Sequence, residues 1–356
     1  MKSLVRGLGM KSPMSPIEKK SKELNLMNMQ LLENILTSYG PSGHEGRVAQ
    51  TIMAALEGHV DEMYTDVMGN LITIKKGDGT GRRIMTSAHM DHIGLAVVDA
   101  DKNGFLRVCN VGGIRAQKMV SGHVVFENGV CGVVGADEKV KGELQVSDLY
   151  VDIGAQTQEE ALSMVSLGDM CVMAPRMTKL GENRIASPAM DDRIACFVQA
   201  QAVLELPEGN KNDVIAVFSV QEEVGLRGAT TAAYAVNPDL GIAVDVTGVG
   251  DVPKVATKVA VELGKGAAVK IMDGSLICTP RVVKMMEKLA QENGIAYQRE
   301  VLPYGGTDAG AIQKTRGGVE TGAISIPCRY IHSEAETVDK RDVQACIELL
   351  KACLTN

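Results

Sequence analysis

The sequence has no tryptophan, and aromatic residues make up only 3% of it, as four Phe and seven Tyr. Stacking platforms of the kind that hold bases or sugars are therefore scarce. No stretch reaches the 18 or so uninterrupted apolar residues of a membrane span. Positive charge is not in excess: 37 Lys and Arg stand against 44 Asp and Glu, a net charge of -7. That balance argues against a nucleic-acid partner. None of the eight cysteines (Cys109, Cys131, Cys171, Cys196, Cys278, Cys328, Cys346 and Cys353) belongs to a C-x-x-C pair. Most sit in apolar runs and read as reduced core residues of a cytoplasmic protein. What is present is a chain of 356 residues, 45% hydrophobic and 23% charged, the composition of a globular enzyme with one large or two smaller domains.

The chain divides by composition. Residues 1–26 are basic, carrying Lys2, Arg6, Lys11, Lys19, Lys20 and Lys22, and are broken by Pro13 and Pro16. With no apolar core they are not a secretory signal and are expected to be a disordered extension. Residues 27–98 and 177–356 alternate helical spacing with nearly continuous apolar strands such as Val214 to Val220 and Leu240 to Val246. Strands of that kind lie in a sheet covered by helices on both faces. Between them, residues 99–176 offer short β-rich runs separated by Gly and Asn, which suggests a small barrel or sandwich. The expected fold is thus an α/β domain built from both ends of the chain, with a small β domain inserted.

In an open α/β sheet, ligands bind at the carboxyl ends of the strands. The run Arg83 to Ala88 is followed at once by His89 and Asp91, where period-2 alternation lets the carboxylate turn back and hold the ring. Glu222 and Glu223 follow Val214 to Val220, Asp245 lies near the end of Leu240 to Val246, and His332 follows Pro327 to Ile331. Asp191 and Asp192 open a long helix. Singly, each has a plain structural reading: a helix cap, a solvated strand end, a surface histidine. Asp245 is the exception, because an unpaired carboxylate inside an apolar run costs several kcal/mol. Together they place only His, Asp and Glu on one rim. Two His and three carboxylates suit Zn²⁺, Co²⁺ or Mn²⁺ better than Ca²⁺ or Mg²⁺. They suffice for two ions ~3.5–4 Å apart if one carboxylate bridges. That leaves one glutamate of the adjacent pair to accept a proton from a metal-activated water.

From about Leu31 to the C-terminus the chain resembles the M42 family of metallo-aminopeptidases. The resemblance rests on Pro41-Ser42-Gly43, Gly69-Asn70-Leu71, Ala88-His89-Met90-Asp91, Asp191-Asp192-Arg193, Glu222-Glu223-Val224-Gly225, Val244-Asp245-Val246-Thr247, Gly305-Gly306-Thr307-Asp308-Ala309 and Arg329-Tyr330-Ile331-His332-Ser333. It implies a co-catalytic zinc peptidase domain with an inserted PDZ-like β domain. It also implies that His89, Asp191 and Asp245 hold one metal and that Asp191, Glu223 and His332 hold the other, with Asp191 bridging. Glu222 would be the general base of attack by a metal-bound hydroxide, Asp91 would orient His89, and the Asp191–Asp192 bond would be strained and cis. Homo-oligomers built from dimers, up to dodecamers, and short peptide substrates follow from the same resemblance. Gly306-Thr307-Asp308 is expected to line the substrate pocket, with Thr307 and Asp308 as binding residues. His92 departs from the family, standing where it usually has Glu; at i+3 along a strand it points away from His89. Three rival functions use the same residues: a glycoside hydrolase with a carboxylate acid/base pair, an amidase or deacylase on small N-acyl compounds, and a non-catalytic binding protein.

Overall fold

A computed structural model describes residues 27–254 and 259–356; the expected extension over residues 1–26 lies outside the described residues. After helices Met29–Thr37 and Gly46–Leu56 come strands β1 (Glu62–Thr65), β2 (Leu71–Lys75) and β3 (Arg83–His89). Six strands follow: β4 (Gly94–Ala100), β5 (Leu106–Val111), β6 (His123–Phe126), β7 (Cys131–Ala136), β8 (Leu149–Asp152) and β9 (Met170–Met173). They close into a barrel in the order β4-β5-β8-β7-β6-β9. Its first strand starts at Gly94, ahead of the expected boundary at 98/99.

The chain then returns with β10 (Thr178–Leu180), β11 (Arg184–Ser187), β12 (Asp213–Ser219), β13 (Leu240–Gly248), β14 (Ala267–Met272), β15 (Tyr297–Val301), β16 (Glu320–Arg329) and β17 (Glu336–Asp339). With β1 to β3 these build an 11-stranded sheet in the order β1-β2-β12-β3-β13-β16-β17-β11-β10, with β14 joined to β16 and β15 joined to β14. Its centre is parallel: β12 beside β3, β3 beside β13, β13 beside β16. Alternation along β12 shows why both faces need helices. Val214, Ala216 and Phe218 enter one core, with helices Met190–Leu204 and Lys340–Thr355. Ile215 and Val217 enter another, with Ala232, Ala233 and Val236 of helix Arg227–Val236. A strand buried on both sides must be apolar throughout.

Among the described residues no helix is long and apolar enough to cross a membrane. All eight cysteines are free; six are buried, but Cys109 and Cys131 are exposed on barrel strands.

Candidate metal centre

The carboxyl ends of the parallel strands share one rim, and the chemistry gathers there. His89 is the last residue of β3. Asp245 lies within β13, opposite Ser325 of β16. Glu222 and Glu223 do not end a strand: β12 stops at Ser219, Gln221 takes a left-handed φ of 54°, and a turn closes with Gly225 N–H donating to the Glu222 carbonyl. That turn, rather than strand alternation, sends both glutamates inward. His332 also sits in a left-handed conformation, φ 58°, in the loop between β16 and β17. The Asp191–Asp192 bond is cis. Neither aspartate caps its helix, which has no side-chain cap bond.

Two clusters of possible ligand atoms result, His89, Asp191, Asp192 and Asp245 in one and Asp191, Glu223 and His332 in the other. They share Asp191, whose Oδ1 lies 3.2 Å from His89 Nε2 and whose Oδ2 lies 3.3 Å from His332 Nε2. Glu223 Oε1 is 3.2 Å from the same His332 nitrogen, and Glu222 Oε2 is 3.9 Å from His89 Nε2. Asp192 is an addition to the expected set, although its Oδ2 also faces the His89 backbone N–H at 3.3 Å.

The imidazoles show what the site is built for. His89 Nδ1 lies 3.0 Å from the Asp91 carbonyl, and His332 Nδ1 lies 2.6 Å from the Gly113 carbonyl. A carbonyl can only accept, so each Nδ1 carries a proton, and each ring turns Nε2, the nitrogen left to bind a metal, towards carboxylate oxygens. That nitrogen meets the anions favourably only through a proton or a metal cation, and a ring fixed through its other nitrogen is the usual build of a metal ligand.

Without such a cation the carboxylates compete for protons. Burial, then Asp191, pushes Asp245 up to about 7. Burial and Asp245 hold Asp192 well above the carboxylate range, and burial raises Glu222 and Glu223. Burial opposes the charged form of His332, yet Asp191 and Glu223 raise it to about 11. Asp192 Oδ1 is buried without a hydrogen-bond partner. The donor set therefore fits divalent cations with nitrogen and oxygen ligands.

A cavity of about 520 Å³ opens over the clusters. Val246, Val249, Leu302, Tyr304, Gly305 and Gly306 line one side, and Arg115 and Lys118 of the barrel segment enter from another. Burial and the neighbouring Arg115 charge lower the Lys118 ammonium below its ordinary value. A second hollow of about 630 Å³ lies behind the Glu222–Glu223 turn, beside Leu226, Tyr234 and Arg316, and has no carboxylate or imidazole in its lining.

A family model described as M42 glutamyl aminopeptidase matches residues 69–349. The chain belongs to the M42 peptidase family. A provisionally named aminopeptidase of Acetivibrio thermocellus is 44% identical over 322 residues, which cover 90% of this chain and 96% of that relative. An aminopeptidase structure from the archaeon Desulfurococcus kamchatkensis superimposes with a TM-score of 0.88 at 37% identity, covering 92% of this M42 chain and 94% of the other. The TET1 peptidase of Pyrococcus horikoshii, which can assemble into a tetrahedron or a large octahedral shell, gives 0.83 at 33% identity, covering 92% and 99%.

Several residues of this M42 chain have partners that the sequence did not show. Asp91 lies against His89 Nδ1 with its carbonyl at 3.0 Å and its carboxylate at 3.5 Å. That carboxylate also accepts from the Glu222 and Glu223 backbone N–H groups, at 2.9 and 3.2 Å, and from the Ser42 hydroxyl at 2.6 Å. Thr307 and Asp308 do not line the cavity, whose wall ends at Gly306. Both are buried beneath it, and Asp308 Oδ2 accepts from Ser87 Oγ and Ser219 Oγ, tying β3 to β12. Two hydroxyls occupy its Oδ2, while its Oδ1 is buried without a hydrogen-bond partner. His92 is buried outside both clusters, and burial with the Arg193 charge drives its pKa down to about 3. Glu336 was not foreseen. Its Oε2 accepts from Asp191 N–H at 2.9 Å and its Oε1 from His332 N–H at 2.7 Å. One buried side chain thus holds the aspartate shared by the two clusters and the loop histidine in register.

Proposed function

We propose that this chain is a metal-dependent aminopeptidase that removes N-terminal residues from short peptides. The observation that carries the reading is the pair of ligand clusters joined through Asp191, with Glu222 beside them and outside both. Zn²⁺ or Co²⁺ is favoured by the mixed imidazole and carboxylate donors, with Mn²⁺ a third candidate. When bound, two such ions polarise the scissile carbonyl and make water acidic enough to attack at neutral pH. His89, Asp191 and Asp245 would hold one ion and Asp191, Glu223 and His332 the other. Glu222 accepts the proton of the attacking water and returns it to the leaving amine. Asp91 fixes the turn that carries it. The cavity wall from Val246 to Gly306 encloses the first side chain and excludes water from it.

Assembly into homo-oligomers, from dimers to a dodecamer, is part of the proposal and is supported by the shells formed by the similar Pyrococcus horikoshii peptidase. A cytoplasmic location is proposed from the free cysteines. Of the described residues lining the cavity only Tyr304 and Tyr330 carry phenyl-type rings, which weighs against a sugar cleft.

The test is hydrolysis of aminoacyl-p-nitroanilides with free and blocked amines, before and after EDTA, and after adding back Zn²⁺ or Co²⁺. Cleavage of free substrates only, lost with chelator and restored by metal, is the expected result. Cleavage of blocked substrates alone would assign a deacylase. No cleavage with any metal would refute the peptidase reading, and a cellulose-oligomer assay would then separate a glycosidase from a non-catalytic protein.

A further inference from the structure

The cavity over the metal centre is not uniform in charge. Its floor holds the carboxylates of Asp191, Glu222, Glu223 and Asp245, whereas Arg115 and Lys118 come in from the barrel segment that follows β5. A third lining cation, Arg329, is already neutralised, since its Nε and Nη2 donate to Asp251 at 2.9 and 2.6 Å. Arg115 and Lys118 have no such partner among the described residues. Lys118 Nζ donates to the neutral Ile331 carbonyl at 2.5 Å, and Arg115 is exposed to solvent. Arg115 precedes and Lys118 ends a single 3₁₀ turn, Ala116–Lys118, so two like charges are held together at the mouth of an acidic site. Neither is ion-paired among the described residues, so an anion placed between them meets two available cations.

Position narrows what the anion is. The same segment touches the metal centre through the Gly113 carbonyl, 2.6 Å from His332 Nδ1. Two residues of extended chain span at most ~7 Å, so the Arg115 backbone lies within that reach of the Gly113 residue whose carbonyl holds His332, about the length of two peptide residues. An exopeptidase takes the chain terminus into its closed end and lets the rest leave towards solvent. Here the closed side is the buried apolar wall of Val246, Val249 and Leu302, and the open side is where Arg115 lies.

We infer that Arg115 and Lys118 bind a substrate carboxylate on the leaving-group side of the scissile bond. The favoured substrates are then dipeptides with a free C-terminus, or longer peptides with an acidic second residue. The inference rests on the aminopeptidase reading and specifies its substrate class. Both carboxylate sources meet the same guanidinium and ammonium donors through charge-assisted hydrogen bonds.

The experiment compares kcat/KM of the metal-loaded full chain for Leu-Gly, Leu-Gly-amide, Leu-Glu-amide and Glu-Gly-amide. The expected order puts Leu-Gly about tenfold above Leu-Gly-amide, the ratio that one charge-assisted hydrogen bond supports. Leu-Glu-amide matching Leu-Gly would extend the site to acidic side chains; Leu-Glu-amide staying with Leu-Gly-amide would confine it to the terminal carboxylate. Arg115→Gln should collapse the ratio of acid to amide towards one. Lys118→Gln should do so too, but it also frees the Ile331 carbonyl, so Arg115 decides. Equal rates on Leu-Gly and Leu-Gly-amide would overturn the inference, as would a ratio that survives in the double variant. An advantage for Glu-Gly-amide that Arg115→Gln removes would also overturn it, placing the cations at the first residue instead. Failure to cleave any unblocked peptide would refute the aminopeptidase reading itself and this inference with it; cleavage without preference refutes only this one.

Discussion

Glu336→Gln separates the two jobs that one carboxylate does. In the native chain its two oxygens accept from Asp191 N–H and His332 N–H. Glutamine has the same shape but only one accepting oxygen, so its amide turns a donor towards the other N–H. A hydrogen bond to a charged acceptor contributes roughly 1.5–3 kcal/mol, and a buried donor left unmet costs a similar amount. Against this, burial and the Asp191 charge push the Glu336 carboxyl well above its ordinary pKa, so losing the charge recovers part of the loss. We expect a net destabilisation of about 2 kcal/mol, or about 4–8 °C in Tm for a domain of this class. Metal binding should fall about 10- to 100-fold, the usual effect of removing a group that orients a ligand. Urea unfolding of the chelated protein reads the first number, and competition with a chromophoric chelator reads the second. A variant that loses the stability but keeps its metal affinity within about twofold would show that Glu336 is structural only. Unchanged values in both assays would refute the account of the hydrogen bonds.

Glu222→Gln should leave both ions bound, by chelator competition, while kcat falls by about 10²–10⁴-fold; retained turnover would remove Glu222 from the proton-transfer role. Gly113→Ala places a methyl 2.9 Å from His332 Cε1, so His332 must shift, and titration of the apo-protein should show one of two metal affinities weakened and the other kept. Phe218→Ala empties a fully buried position on β12 and should cost about 3–5 kcal/mol in urea unfolding. His92 is held neutral, with a pKa lowered from 6.5 to about 3, so between those values the unfolded chain binds a proton that the folded chain does not. Stability of the chelated protein should therefore fall as pH drops through this window, by up to about 1.4 kcal/mol per pH unit from this group. His92→Gln should flatten that slope, and an unchanged slope would assign the proton uptake elsewhere.

The candidate ligands could be read from the sequence because together they gather only His, Asp and Glu on one rim, and because one of them, a carboxylate inside an apolar run, breaks a local rule on its own. Asp245 was legible in this way, and the structure puts it within 4.8 Å of His89, Asp191 and Asp192. The residues that support the ligands break no such rule. Glu336 lies in β17, whose four residues Glu-Thr-Val-Asp are all buried although three are polar; backbone donors satisfy Glu336, Arg341 satisfies Asp339, and sequence spacing does not reveal these partners. The Gly113 carbonyl is further out of reach, since any residue has one and only the packing of the barrel aims it at His332. Thr307 and Asp308 misled for the converse reason: a motif of small and acidic residues suggests a pocket wall, but the hydroxyls of Ser87 and Ser219, far away in sequence, draw the acid inward. The short strands β10, β11 and β14 carry too few residues, or too mixed a set, for alternation to show.

The order in which the centre receives its parts has a consequence for biosynthesis. His89 is made before the barrel, Asp191, Glu223 and Asp245 after it, and His332 and Glu336 only as the last helix approaches. A chain still being synthesised thus exposes a partial carboxylate cluster from the middle of its translation until the last residues are made. Closing it waits on contacts between the two ends of the sequence, which form late because chain closure is entropically costly. Metal ions that bind the finished centre will favour the folded state by their binding free energy. Their supply should therefore govern how much full-length chain reaches the native fold, as well as how active that fold is.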